Sequence, residues 1–276
     1  MVSTFSIIAI VTTLIVSTLL PLIFAIIWCV KNKGKKTISA LLLGALGFFV
    51  MQIVIRTPIL SLISQTDGFL DFVSSNYVLY CLILAFTAAL FEVIARYGVA
   101  KILRKDLSFE RSFAAGLGHG GIESIIIIGM TYISNLVLSF MINTNTFDLI
   151  VEQTSTQGIN ASNLTAVKEQ LIGTNPSTFL LGGFERILTI TIHIGLTVLV
   201  WYFVKHKKDI IGILICLLAH FAVDFVGGFV QGLATDYLGN VISLTTSYII
   251  IYSFLAVIAV ASVMFIVKIR KKWNLK

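Results

Sequence analysis

Polar and apolar positions along this chain alternate in long blocks rather than with the short period of a soluble fold. Apolar stretches of about 20 residues or more recur near 5–30, 37–64, 77–100, 112–142, 177–204, 210–231 and 243–267. At roughly 1.5 Å of rise per residue, each is long enough as a helix to cross a hydrocarbon core of about 30 Å. The pattern predicts an all-α, polytopic membrane helix bundle with about seven transmembrane helices. The longest polar stretch runs only from Asn143 to Pro176, so residues 1–276 are read as a single integral membrane domain with no soluble one. Within that stretch, Ala161 to Leu171 predicts a short surface helix started by Asn160 or Ser162. No internal repeat is visible, which removes the inverted-repeat signature of many secondary transporters.

Composition agrees, with 57% hydrophobic and 12% charged residues. The formal net charge of +7 would suit a nucleic-acid partner if it formed one patch, but it is divided among alternate connections. Lys31, Lys33, Lys35 and Lys36 occupy the first, Lys101, Arg104, Lys105 and Arg111 the third, and Lys205, Lys207 and Lys208 the fifth. Lys268, Arg270, Lys271, Lys272 and Lys276 end the chain, so these positions hold 16 of the 20 basic residues. The positive-inside bias then places the N-terminus outside and the C-terminus in the cytoplasm, as an odd number of spans requires. The expected location is a cell membrane, crossed several times, and specifically a bacterial plasma membrane; no nucleic acid is expected as a partner. The first span reads as a retained helix and not a removed signal peptide. Trp28, Trp201 and Trp273 fall near the inner boundary and read as interfacial anchors. Cys29, Cys81 and Cys216 read as buried small apolar residues. The two N-x-S/T triplets at Asn160 and Asn163 are taken as chance.

Several ionisable residues lie inside the apolar spans, where each costs roughly 2.5 kcal/mol or more at a helix centre. Glu92 and Arg96, His119 and Glu123, and His220 and Asp224 are each four apart and share a helix face. Counting from the cytoplasmic end of each span puts Glu92, His119, Glu123, His193 and His220 roughly 10–16 Å deep. Four spans thus deliver polar groups to one layer. Arg96 is expected near the inner interface, its guanidinium snorkelling while it pairs with Glu92. Glu185 counts out nearer the outer face and is assigned to another site or to Arg186. Pro58 predicts a bend in the second span just after Arg56. Gly116, Gly118, Gly120 and Gly121 give a small-residue face around His119 that serves packing at least as readily as catalysis.

A carboxylate beside imidazoles in a dry cavity is equipment for activating water, with a histidine passing protons to a leaving amine. Alternatively His119, His193 and His220 form three corners of a metal site, with Glu123 as base for the bound water. The cofactor expectation is accordingly none or zinc. The bland reading is a hydrogen-bond network that pins four helices together.

At Gly118-His119-Gly120-Gly121-Ile122-Glu123 and His220-Phe221-Ala222-Val223-Asp224 the chain resembles the YhfC family of intramembrane proteases, over most of its length. That family is related to the PrsW proteases and to the CAAX prenyl endopeptidase and bacteriocin-processing superfamily. The resemblance implies glutamate-activated water attacking a peptide bond within the membrane, although YhfC-like proteins are also labelled metalloproteases. The superfamily's first motif is EExxxR; Glu92 and Arg96 match its second glutamate and its arginine, while Phe91 stands where the first glutamate would be. Either Glu92 takes the role of base or Glu123 supplies it. Asp224 stands where asparagine is common; to donate to an oxyanion it would have to be protonated, or instead it would orient His220.

The resulting expectation is an intramembrane endopeptidase acting on a membrane protein or lipid-anchored peptide in the bilayer. Glu92 or Glu123 is the base, His119 and His220 move protons and stabilise charge, His193 completes the site, and Arg96 orients Glu92. The competing classes are an ion- or proton-coupled transporter and a catalytically inactive scaffold of the protease fold.

Overall fold

A computed structural model describes residues 1–157 and 160–273. Lys276, the last of the terminal basic cluster, lies outside the described residues. Among these residues there is no strand, and helices carry nearly the whole chain. Seven are long and apolar enough to cross a membrane: α1 (Thr4–Lys31), α2 (Thr37–Ser64), α3 (Tyr77–Ile102), α4 (Phe109–Asn143), α5 (Pro176–Lys205), α6 (Asp209–Gly232) and α7 (Leu244–Lys272). The protein is a multi-pass membrane protein.

The disturbance expected from Pro58 takes a different form from a simple bend. α2 widens into a π segment over Phe49–Arg56, and Pro58 sits in the first turn of the α-helix that resumes at Thr57. A proline there lacks an N–H that the preceding turn would otherwise have to satisfy. The Gln52 carbonyl accepts the Thr57 Oγ1 hydroxyl at 2.8 Å, so the widened turn keeps its polar groups occupied. α4 has a second π segment at Ser124–Gly129. The polar stretch between α4 and α5 holds the expected short helix, at Ser162–Gly173, and a further one at Thr146–Thr156. Asn160 helps start the former, its Oδ1 accepting the Ser162 N–H at 2.9 Å.

The chain divides into two compact units. The first comprises Met1–Ile23 and Glu123–Ile187. Its core gathers Val2, Ala9, Ile10, Tyr132, Ile142, Phe147, Leu171 and Phe179. The Phe179 carbonyl accepts from both Thr13 Oγ1 and Tyr132 Oη at 2.7 Å, and Asn143 ties the start of the chain by bonding both the N–H and the carbonyl of Val2.

The second unit comprises Phe24–Ile122 and Leu188–Lys276, and it contains all the basic connections. α3 packs extensively along α6. Two of the tryptophans expected as interfacial anchors are enclosed by protein, and Trp28 is half-buried. Trp201 is fully buried and Trp273 nearly so, and Trp28 stacks on Phe113 with centroids 3.8 Å apart. Trp28 and Trp273 donate their indole N–H groups to the carbonyls of Glu110 and Leu107. Their rings close the unit at the end that carries the basic connections, which a count of distance from charged residues could not separate from an outward-facing belt. Cys81 and Cys216 are buried and Cys29 half-buried, all as free thiols.

Candidate metal centre

α2, α3, α4, α5 and α6 each contribute to one buried cluster in the second unit. Two glycines of α4 make this approach feasible. A Cβ at Gly118 would lie 2.0 Å from the Leu41 carbonyl oxygen of α2, and one at Gly120 would lie 2.9 Å from the His193 Cβ of α5. Only hydrogen fits at such separations, so the small-residue face packs α4 directly against two neighbours. That packing places His119 between them, which joins the two roles the glycines were expected to divide.

Glu92 is the hub. It is 4% exposed, and among the described residues every hydrogen-bond donor to it comes from another buried group. Its Oε2 accepts from Arg96 Nη2 at 2.9 Å and from His119 Nε2 at 3.0 Å, and it lies 3.4 Å from His220 Nδ1 and 3.6 Å from His193 Nδ1. The three imidazoles pack in sequence, with ring centroids 5.5 Å apart for His119 and His193 and 5.4 Å for His193 and His220. Asp224 stands behind His220, its Oδ2 3.2 Å from Nε2.

Arg96 does not snorkel. Its side chain is 1% exposed, and Nη2 bridges Glu92 and His193 Nδ1, the latter at 2.6 Å. A buried carboxylate offers more than an interface does, because an uncompensated ion in low dielectric costs several kcal/mol.

Hydrogen-bond chemistry assigns the imidazole tautomers. Arginine only donates, so His193 Nδ1 is an acceptor. An ionised Asp224 only accepts, so His220 Nε2 carries the proton. In a neutral ring His220 Nδ1 then bears a lone pair, 3.4 Å from a carboxylate oxygen, and among the described residues it has no hydrogen-bond partner. A bare imidazole nitrogen 3.4 Å from a carboxylate oxygen is stabilised by a cation between them, either a proton or a metal ion.

The donor set suits the metal. One ligand atom each from Glu92, His119 and His193 lies within 4.8 Å of the others, and the three nitrogen distances to Glu92 Oε2 span 3.0–3.6 Å. Ligand atoms around a four-coordinate zinc with bonds of about 2.0–2.1 Å stand roughly 3.3 Å apart. The fit is of donor type and spacing, and the Asp224–His220 pair supplies the carboxylate that metal-bound imidazoles characteristically have behind them.

Comparison with known proteins agrees. The profile described as YhfC intramembrane metalloprotease matches residues 16–250. The chain belongs to this family. It is also 32% identical over 196 residues to the uncharacterized membrane protein YhfC of Bacillus subtilis strain 168, covering 71% of this chain and 74% of that one. No solved structure matches. The family is described as intramembrane metalloproteases, and the YhfC relative is itself uncharacterised.

Of the residues singled out in the sequence, the structure brings together Glu92, Arg96, His119, His193, His220 and Asp224. Glu123 follows His119 by one turn, at the end of the α-helical part of α4. In the first unit it pairs with Arg186, Oε1 lying 3.3 Å from Nη1, and Arg186 also pairs with Glu185. The sequence reading missed Gln52. This residue is 5% exposed and donates from Nε2 to Glu92 Oε1 at 3.0 Å. A signal was available, because Gln52 and Arg56 are four apart inside an apolar span, the same test that marked the other pairs.

Proposed function

We propose that this protein is an intramembrane metallopeptidase of the bacterial plasma membrane that hydrolyses peptide bonds of membrane-associated proteins or lipid-anchored peptides. The observation that carries the reading is the convergence of three buried imidazoles on one oxygen of Glu92. Glu92, His119, His193 and His220 would hold the metal, zinc being the ion whose donor preferences they match. When bound, such an ion supplies Lewis acidity, which eases deprotonation of water and polarises a carbonyl.

The chain's own residues do the rest. Asp224 holds the proton of His220 on Nε2 and turns Nδ1 inward. Arg96 compensates the charge of Glu92. The surrounding apolar helices keep bulk water away, which strengthens each of these interactions. Glu123, one turn from His119, is the second carboxylate to test as a base.

A second reading is favoured by one contact. A lone pair on His193 Nδ1 engaged by Arg96 at 2.6 Å is not available to a metal ion. In that reading Glu92 and the histidines activate water without an ion.

The test is N-terminal profiling of membranes from cells expressing the wild-type protein or Glu92→Gln, His119→Ala, His220→Ala or Glu123→Gln, with metal content measured on the purified proteins. New N-termini that vanish in Glu92→Gln and His119→Ala, together with about one zinc per wild-type chain that these variants lose, is the expected result. Cleavage that survives metal depletion selects the metal-free reading. Cleavage retained by all four variants ends both.

A further inference from the structure

Glu92 has two oxygens, and they face different surroundings. Oε2 meets the histidines and Arg96, whereas Oε1 meets Gln52. Gln52 is itself held at every turn. Its Nε2 also donates to the Ala88 carbonyl at 3.1 Å, one helical turn before Glu92, and its Oε1 accepts from Arg56 Nη1 at 3.2 Å. Arg56 is anchored in turn by Thr87 Oγ1 at 3.2 Å and the Leu84 carbonyl at 2.8 Å.

The direction of this chain of bonds is fixed by chemistry. Guanidinium donates only, so the amide oxygen must face Arg56; an ionised carboxylate accepts only, so the amide nitrogen must face Glu92. A flipped amide would set NH₂ against guanidinium and oxygen against carboxylate. The arrangement runs one way, from cation through amide to carboxylate, with each bond polarising the next. Its backbone support is unusual too, since Gln52 and Arg56 both lie in the π segment of α2. Widened turns of this kind are frequent at functional sites because they re-aim side chains.

We infer that Gln52, oriented by Arg56, is a positioning residue that occupies Glu92 Oε1 and so dedicates Oε2 to the histidine cluster. The inference rests on Glu92 being the centre of the site. It does not require that the ion be zinc, or that there be an ion. A glutamine that merely tied α2 to α3 would serve equally well with its amide facing any polar atom of α3, and its loss would lower stability alone.

Two variants test it, Gln52→Met, which keeps the length and removes the amide, and Arg56→Met, which leaves Gln52 in place but frees its orientation. The metal-independent readout is isotope-edited infrared spectroscopy of protein carrying ¹³C-labelled glutamate carboxylates, with the Glu92 band identified by its loss in Glu92→Gln. The second readout is zinc affinity by chelator competition. Expected is a shifted Glu92 carboxylate band in both variants, with zinc affinity down about 10- to 100-fold in Gln52→Met and less in Arg56→Met. An unmoved band in folded Gln52→Met overturns the inference, as does a fall in thermal stability with band and zinc affinity both unchanged. Wild-type protein that binds no zinc would count against the metal reading of the function, while the band alone would still decide the role of Gln52.

Discussion

Arg96 shows how much a single buried side chain is asked to do. Its Nη2 meets Glu92 Oε2 and His193 Nδ1 together, from a nitrogen that stands one bond farther along the side chain than a lysine ammonium reaches. Arg96→Lys should therefore retain charge compensation but lose the double contact. Its expected effect is a destabilisation of about 1–3 kcal/mol, measured by thermal unfolding in detergent, together with weaker zinc binding. Arg96→Met leaves Glu92 without its cation, and about 3–5 kcal/mol is the usual loss on breaking a buried pair. Lysine at 96 behaving as wild type in both measurements would show that charge alone is needed. In the first unit Arg186 lies between Glu123 and Glu185, and Arg186→Met should likewise lower the unfolding temperature well beyond the change from an exposed substitution such as Lys105→Met.

Helix contacts set the positions of these residues. α4 approaches α2 at Gly118 so closely that any side chain would enter the Leu41 carbonyl. Gly118→Ala must push the helices apart, at about 1–3 kcal/mol for overpacking, and it should loosen His119 from Glu92 as it does so. Gly98 of α3 is the control, because a Cβ there meets nothing within 4 Å. Gly98→Ala should be neutral or raise stability by up to about 1 kcal/mol through helix propensity. Parallel melting curves and zinc titrations of the two variants check this; equal behaviour would mean that the close approach at Gly118 is not a constraint. The π segment of α2 belongs to the same scale. Replacing Pro58 with alanine restores an N–H and favours a regular α-helix, which would rotate Gln52 relative to Glu92, so zinc affinity should drop even if the helix itself becomes more stable.

For the molecule as a whole, the distribution of basic residues predicts an extracytoplasmic N-terminus and a cytoplasmic C-terminus. A fluorescent-protein fusion at the C-terminus should fluoresce and a C-terminal alkaline phosphatase fusion should be inactive; the opposite pair of results would reverse the topology. The seven spans, their order and the Glu92–Arg96 and His220–Asp224 pairs were legible because hydrophobic length and four-residue spacing are local properties. The pairing of Glu185 with Arg186 was one of two alternatives read for Glu185. Three things were not legible. Arg96 was placed at the interface by counting residues, yet it is enclosed by neighbours that only packing supplies. Trp201 and Trp273 were read as interfacial anchors, yet they are buried, because sequence distance from charged ends does not say which side of a helix a ring occupies. Gln52 was passed over because a neutral amide in an apolar span carries no charge to mark it, and its partner is 40 residues away.

The chain's apolar pattern alone determines that this is a helical membrane protein, since transferring about 20 apolar residues per span from water to lipid outweighs any local alternative. The identity of the ionisable residues likewise declares a buried polar site. Which of those residues meet, which oxygen of Glu92 faces which partner, and whether a guanidinium sits inside or at the surface were decided by tertiary packing. The physical reason is that hydrophobic burial is summed along a segment and indifferent to direction, whereas hydrogen bonds and close backbone approaches depend on ångström-scale positions that no single segment contains.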